Sequence, residues 1–268
     1  MTSDPFYCKE PNTSKVPIII SVPHSGTEIP DDLKDTYLEN QLENLDDTDW
    51  FVHDVYDFAS DLGITVIRAK YHRWLIDLNR DPESKPLYND GRIITELCSK
   101  TDFFGRPIYK AAQDPTLEEV ERRLNVYYWT YYQKVNSLLQ ERKQEFGKVL
   151  LWDAHSIRRM VPTIQKDPFP DMILGNNDLQ TADSEIIQTA INTLKKGPYQ
   201  VNHNTPFKGG HITRYFGDPS NQIHALQLEM NKILYMDDSE TKYNLLRAQD
   251  VKSVLKPTFE ALIKLMAD

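Results

Sequence analysis

Apolar positions along this chain fall into two rhythms, and their alternation predicts the fold. Pro17-Ile-Ile-Ile-Ser-Val22, Ile64-Thr-Val-Ile-Arg-Ala69 and Lys148-Val-Leu-Leu-Trp152 are short, β-branched or aliphatic runs of strand length, and the first reads as a buried strand. Tyr199-Gln-Val-Asn202 is a shorter candidate, and 224–231 alternates as a strand does. His72-Arg-Trp-Leu-Ile-Asp-Leu-Asn-Arg80 reads as a further strand whose end carries Asn79 and Arg80. Helical spacing takes over elsewhere. Residues 31–37 suit a short polar helix. The apolar residues at 51, 52, 55, 58 and 59 predict a helix over 50–59, with Thr48 or Asp49 as N-cap and Gly63 as its stop. Residues 115–146 form one long helix opened by Asp114-Pro115 and closed by Gly147; 184–196 and 251–266 complete the set. The proline-bearing stretches 82–91 and 158–177 and the glycine-rich 204–217 read as loops. Strands alternating with helices imply an α/β fold: a mostly parallel mixed sheet with helices on both faces, in one domain over 1–268.

Composition narrows the class. Hydrophobic residues make up 40% of 268, enough for a sizeable core and too many for wholesale disorder. The net charge of −9 argues against nucleic acid or an anionic membrane as the main partner. Cys8 and Cys98 lie far apart, outside any metal spacing, and read as reduced, incidental thiols. No signal-peptide pattern opens the sequence and no apolar run approaches the ~20 residues of a membrane span, so a soluble, cytoplasmic protein is expected.

Two predicted strands end alike: the first runs into Pro23-His24-Ser25-Gly26, the other into Asp153-Ala-His155-Ser156. In open α/β sheets ligands bind at the carboxyl ends of strands, so two histidines delivered there point to one metal or catalytic centre. Neutral imidazole suits zinc, and a catalytic zinc takes three protein ligands and keeps one open position. Asp47 and Asp49 are the leading third ligands, with Glu28 an outsider; helix capping is the plain alternative for the acids at 46–49. Asp153 reads either as a partner orienting an imidazole or as a strand-end turn residue. Glu229, inside the apolar Leu226-Gln-Leu-Glu-Met230, is equally a buried base of raised pKa or an exposed-face residue. Arg80 and Arg214 suit bidentate carboxylate recognition, and equally structural salt bridges. Lys208-Gly-Gly210 lacks the order of a phosphate loop, and no GxSxG elbow supports Ser25 or Ser156 as nucleophile.

Taken together, Val22–Gly26, Asp47–Trp50, Arg73–Arg80, Trp152–Ile157, Phe207–Gly210 with Ile212–Arg214, and Leu226–Glu229 with Tyr235-Met236 resemble the N-formylglutamate amidohydrolase family, in family order. One stretch departs from it: Gly175–Ala182 stands where the family has a Gly-rich run ending near a cysteine. The resemblance implies a zinc-dependent exopeptidase-like (phosphorylase/hydrolase-like) fold related to the metallocarboxypeptidases. It also implies hydrolysis of N-formyl-L-glutamate, a small acidic acyl-amino acid, to formate and glutamate in histidine degradation. It assigns metal (zinc, or another divalent ion) to His24, Asp49 or alternatively Asp47, and His155, and the general base to Glu229. Arg80 and Arg214 are then expected to hold the substrate carboxylates, with Asn79 and Lys208 as weaker candidates. The rival expectations are a deacylase or carboxypeptidase for another N-acyl amino acid, and a non-catalytic carboxylate-binding module.

Overall fold

The computed structural model describes residues 4–83, 85 and 96–267. Seven strands form one mixed sheet: β1 (Phe6–Lys9), β2 (Ile18–Val22), β3 (Thr65–Ala69), β4 (Val149–Ile157), β5 (Met172–Gly175), β6 (Val201–His203) and β7 (Ile223–Asn231). Their spatial order is β1-β3-β2-β4-β7-β5-β6. The central β3, β2, β4 and β7 are mutually parallel, whereas β1 and the parallel pair β5–β6 run the opposite way. Helices cover both faces: α1 (Glu39–Asn44), α2 (Val52–Val55), α3 (Leu117–Arg123), α4 (Trp129–Phe146), α5 (Ser184–Leu194), α6 (His211–Phe216) and α7 (Leu245–Ala267). Among the described residues no helix is long and apolar enough to cross a membrane.

The pleat sorts the strand residues between two cores. Ile18, Ile20 and Val22, Leu150, Trp152 and Ala154, and Leu226, Leu228 and Met230 join α2, α5 and α7. Ile19, Val149, Leu151, Ile223 and Ala225 face the opposite way, onto α4 and α6. Following that second face along the strands, the apolar residues give way at one level to Ser21 on β2, Asp153 and His155 on β4, and Gln227 and Glu229 on β7. The register aligns them: Ser21 opposite Asp153, Asp153 opposite Gln227, His155 opposite Glu229. One sheet face is thus a core at its amino end and a set of polar groups at its carboxyl end, buried except for the half-buried Glu229.

Several local expectations are corrected. Residues 72–80 are not a strand. Their carbonyls are taken by side chains instead: Tyr109 Oη donates to Trp74 O, Arg123 Nη1 to Leu75 O, Tyr132 Oη to Leu78 O and Tyr128 Oη to Arg80 O. With its polar backbone satisfied this way, an irregular segment can be buried. The helix expected over 50–59 is cut to α2 plus a 3-10 turn at 57–62, because Phe51 adopts a left-handed φ of 61°. Asp49 caps nothing there, its side chain being drawn elsewhere. Residues 31–37 keep only a 3-10 turn at 34–36. The 115–146 helix begins at Thr116, whose hydroxyl accepts from Glu119 N, and passes through a π-turn at 124–128 between α3 and α4. The presumed loops 158–177 and 204–217 contain β5 and α6, and β1 was not foreseen. Most of the expected 82–91 loop lies outside the described residues. Both cysteines are free.

Candidate active site

His24 stands two residues beyond β2, on a turn kept tight by Gly26, where a Cβ would fall 2.2 Å from Tyr71 O. Asp49 is brought to it by the main chain, its N–H donating to His24 O at 2.9 Å. The loop 46–49 is flanked by left-handed Leu45 (φ 41°) and Phe51 (φ 61°), conformations that cost about 1–2 kcal/mol each without glycine. His155 lies within β4. One ligand-type atom from each of His24, Asp49 and His155 falls within 4.8 Å of the others, and all three residues are buried.

The two imidazoles are oriented alike. His24 directs Nε2 to Asp77 Oδ1 at 2.7 Å and leaves Nδ1 3.8 Å from Asp49 Oδ2. His155 has Nε2 3.2 Å from Asp153 Oδ2 and Nδ1 3.2 Å from the same Asp49 oxygen. Carboxylates behind both rings and a carboxylate between them are what a cation site with histidine ligands requires. Asp77 is itself held by Arg73 Nη2 at 2.7 Å.

Charge follows this geometry. Burial, then Arg73, push the His24 pKa down to about 4, so the ring is neutral and able to ligate. Burial acts the same way on His155, but Asp153 and Asp49 overcome it and hold that imidazole well above the usual range. Burial opposes ionisation of Asp77, yet Arg73, His24 and Arg80 keep it well below the usual carboxylate range. Asp49 is likewise lowered against burial, through His155 and His24. Glu229 goes the other way: burial raises it to about 8.

Asn79 lies between His155 and the Gln227–Glu229 pair. Its Nδ2 reaches His155 Nε2 at 3.0 Å and Gln227 Oε1 at 3.4 Å, while Gln227 Nε2 donates to Glu229 Oε2 at 3.2 Å. Asn79 Oδ1 accepts from Ile212 N at 2.8 Å, which fixes the amide's orientation. Gly210 lies against this amide, 2.2 Å separating a built Cβ from Asn79 Nδ2.

A sequence model of the N-formylglutamate amidohydrolase family matches residues 16–236. This chain belongs to the N-formylglutamate amidohydrolase family. The N-formylglutamate deformylases of Pseudomonas putida and Pseudomonas aeruginosa are each 38% identical to it, over 251 and 252 residues and 93% of each chain. The crystal structure of N-formylglutamate amidohydrolase from Ralstonia eutropha JMP134 matches with a TM-score of 0.79 at 25% identity, over 96% of this chain and 98% of that one. Within this family member, the six sequence motifs converge from separate elements on one edge of the sheet.

Of the residues singled out in the sequence, His24, Asp49, His155, Asn79 and Glu229 come together. Arg80 stands beside them, its Nε 3.6 Å from Asp77 Oδ2. Asp47 does not join: Trp74 Nε1 donates to one of its oxygens at 2.7 Å and Phe103 N to the other at 3.0 Å. Glu28 is exposed and accepts from Tyr7 Oη. Lys208 pairs with Asp178 at 2.6 Å, and Arg214 lies on α6 rather than in a loop, its Nε donating to Gly209 O. Ser25 Oγ and Ser156 Oγ are buried without a hydrogen-bond partner among the described residues, so neither is a serine activated by imidazole. Two residues of the site carried no assigned role in the sequence, Arg73 and Asp77. Their four-residue spacing with opposite charge was the available signal, but a helical surface pair looks the same.

Proposed function

We propose that this protein hydrolyses N-formyl-L-glutamate to formate and L-glutamate with a divalent metal, zinc first, held by His24 Nδ1, Asp49 and His155 Nδ1. The carrying observation is the convergence of these three residues beside Glu229, in a member of a family whose Pseudomonas relatives are N-formylglutamate deformylases. The donor set fits the ion: two imidazoles backed by carboxylates and one anionic oxygen, the three protein ligands a catalytic zinc takes. When bound, such an ion supplies Lewis-acid activation of water and of the formyl oxygen.

The chain's own groups do the rest. Glu229, as carboxylate, takes a proton from the attacking water and returns it to the glutamate nitrogen as the C–N bond breaks. Arg73, 8% exposed and within electrostatic reach of both Asp49 and Glu229, is placed to stabilise the negative oxygen that develops at the formyl carbon. Arg80, with Arg214 at the α6 edge, holds the substrate carboxylates; Lys208, tied to Asp178, is the weaker candidate. Asn79 holds Gln227, which in turn donates to Glu229. Such a reaction closes a route of histidine breakdown, and we place the protein there, in the cytoplasm.

The test is formate release by purified protein, before and after chelation and after zinc is restored, with N-acetyl- and N-succinylglutamate as controls. Chelator-sensitive, zinc-restored release with strong preference for the formyl compound is expected. A metal-replete sample that releases no formate refutes the proposal.

A further inference from the structure

Among the described lysines, Lys232 is the one the fold removes from water, with 3% of its surface exposed. It sits in a 3-10 turn directly after β7, three residues beyond Glu229. A buried ammonium is expensive unless partnered, so the one hydrogen bond it makes among the described residues needs a reason. That bond crosses the site: Nζ donates to the main-chain carbonyl of Thr48 at 2.7 Å, 184 residues away in sequence. Thr48 immediately precedes Asp49.

The loop carrying Asp49 is tied residue by residue to different parts of the molecule. Asp46 is held by Arg106 and Arg158, Asp47 by Trp74 and Phe103, and Asp49 N by His24 O. The ties of Asp46 and Asp47 act on side chains, and the Arg106 tie is half in solvent, where ion pairs contribute little. Lys232 instead grips the backbone of the loop and anchors it to the strand that carries Glu229. Left-handed Leu45 and Phe51 on either side make this a loop that needs holding.

We propose that Lys232 is a positioning residue for the metal centre: a strut between β7 and the 46–49 loop that presents the Asp49 carboxylate to His24 and His155 at a fixed distance from Glu229. This rests on the metal-centre reading above. A buried ammonium near an anionic site has two effects of opposite sign. As a charge it weakens cation binding; as a strut it strengthens binding by holding a ligand in place. Burial and Arg158 disfavour the ammonium and lower its pKa overall, against Asp49, Asp47 and Glu240, which favour it; on the strut reading the hold on the Asp49 loop outweighs the charge in metal binding.

The sign of the change in metal affinity therefore decides. Zinc dissociation constants of the full-length protein would be measured by competition with a chromophoric chelator for wild type, Lys232→Met and Lys232→Gln. Visible spectra of the cobalt forms and the thermal midpoints of the metal-free forms accompany them. The expected result for Lys232→Met is at least tenfold weaker zinc binding, about 1.4 kcal/mol, an altered cobalt spectrum and little change in the metal-free midpoint. Lys232→Gln, which keeps a donor without the charge, should recover part of the affinity. Unchanged or tighter zinc binding in Lys232→Met overturns the strut, as does a loss matched by equal destabilisation of the metal-free protein. Should Lys232→Met not fold, Lys232→Ala, which also lacks a donor, takes its place, and zinc binding by that variant as tight as wild type overturns the strut. A wild-type protein that takes up no divalent metal counts instead against the metal-centre reading.

Discussion

His155 on β4 and Glu229 on β7 are partners in a parallel ladder, side by side on the sheet face that looks towards α4 and α6. The pairing sets a candidate metal ligand next to a carboxyl group that burial makes hard to ionise, raised to about 8. A parallel ladder fixes this spacing through the backbone, so neither side chain depends on a flexible loop for its place.

Replacing Glu229, the proposed base, should separate chemistry from assembly. Glu229→Gln keeps the shape and the contact with Gln227, so metal content and KM should change little. Loss of the proton transfer should lower kcat by roughly 10²–10⁴-fold. Steady-state formate release with parallel metal analysis checks this; a variant with wild-type kcat would remove Glu229 from the chemistry.

Metal binding near pH 7 should expel protons. His155 is raised well above the usual imidazole range and Glu229 to about 8, so the metal-free site carries protons there, whereas a ligating imidazole must be neutral. Calorimetry in buffers of different ionisation enthalpy should give release of about one proton or more. Zinc uptake without proton release would contradict this protonation scheme.

The same shift sets the sign of a stability effect. The folded pKa of Glu229 lies above its unfolded value, so its contribution is fully present below pH ~4.5 and is lost as pH rises through about 8. The Glu229→Gln protein lacks that term. Denaturant titrations of both metal-free proteins between pH 6 and 9 should therefore show wild type losing more stability.

The two acids of the 47–49 loop should behave oppositely. Asp49→Ala should abolish stoichiometric zinc binding while leaving much of the fold. Asp47→Ala leaves the buried Trp74 Nε1–H unpaired, at a cost of ~1–3 kcal/mol, and the half-buried Phe103 N–H without its partner, while zinc is still taken up. Metal analysis and urea unfolding distinguish them; zinc loss in Asp47→Ala with retention in Asp49→Ala would reverse the ligand assignment.

Gly210 should not tolerate a methyl group. Its φ of −83° is ordinary, so the backbone would accept alanine, but the new Cβ meets Asn79 Nδ2 at 2.2 Å and Oδ1 at 2.5 Å. Gly210→Ala should displace the amide that holds Gln227 beside His155, lowering kcat/KM by about tenfold or more and stability by roughly 1–3 kcal/mol. Wild-type turnover would show that Asn79 need not be held there.

The sequence by itself determined the central strands, the delivery of His24 and His155 to one edge and the candidacy of Glu229. Strand pleating and hydrophobic runs are local, so the chemistry of neighbouring residues is enough to place them. It could not separate Asp47 from Asp49, because both lie in one short loop and only their partners differ. Trp74 and Phe103 claim the first, and His155, 106 residues away, lies against the second. Nor did it reveal Asp77 behind His24, 53 residues apart, or Lys232 beneath Thr48. The 72–80 segment has the apolar content of a strand, but its hydrogen-bond partners are side chains of α3, α4 and Tyr109. Only tertiary structure decided these points, since a buried polar group is defined by what it pairs with, and those pairs form across the fold.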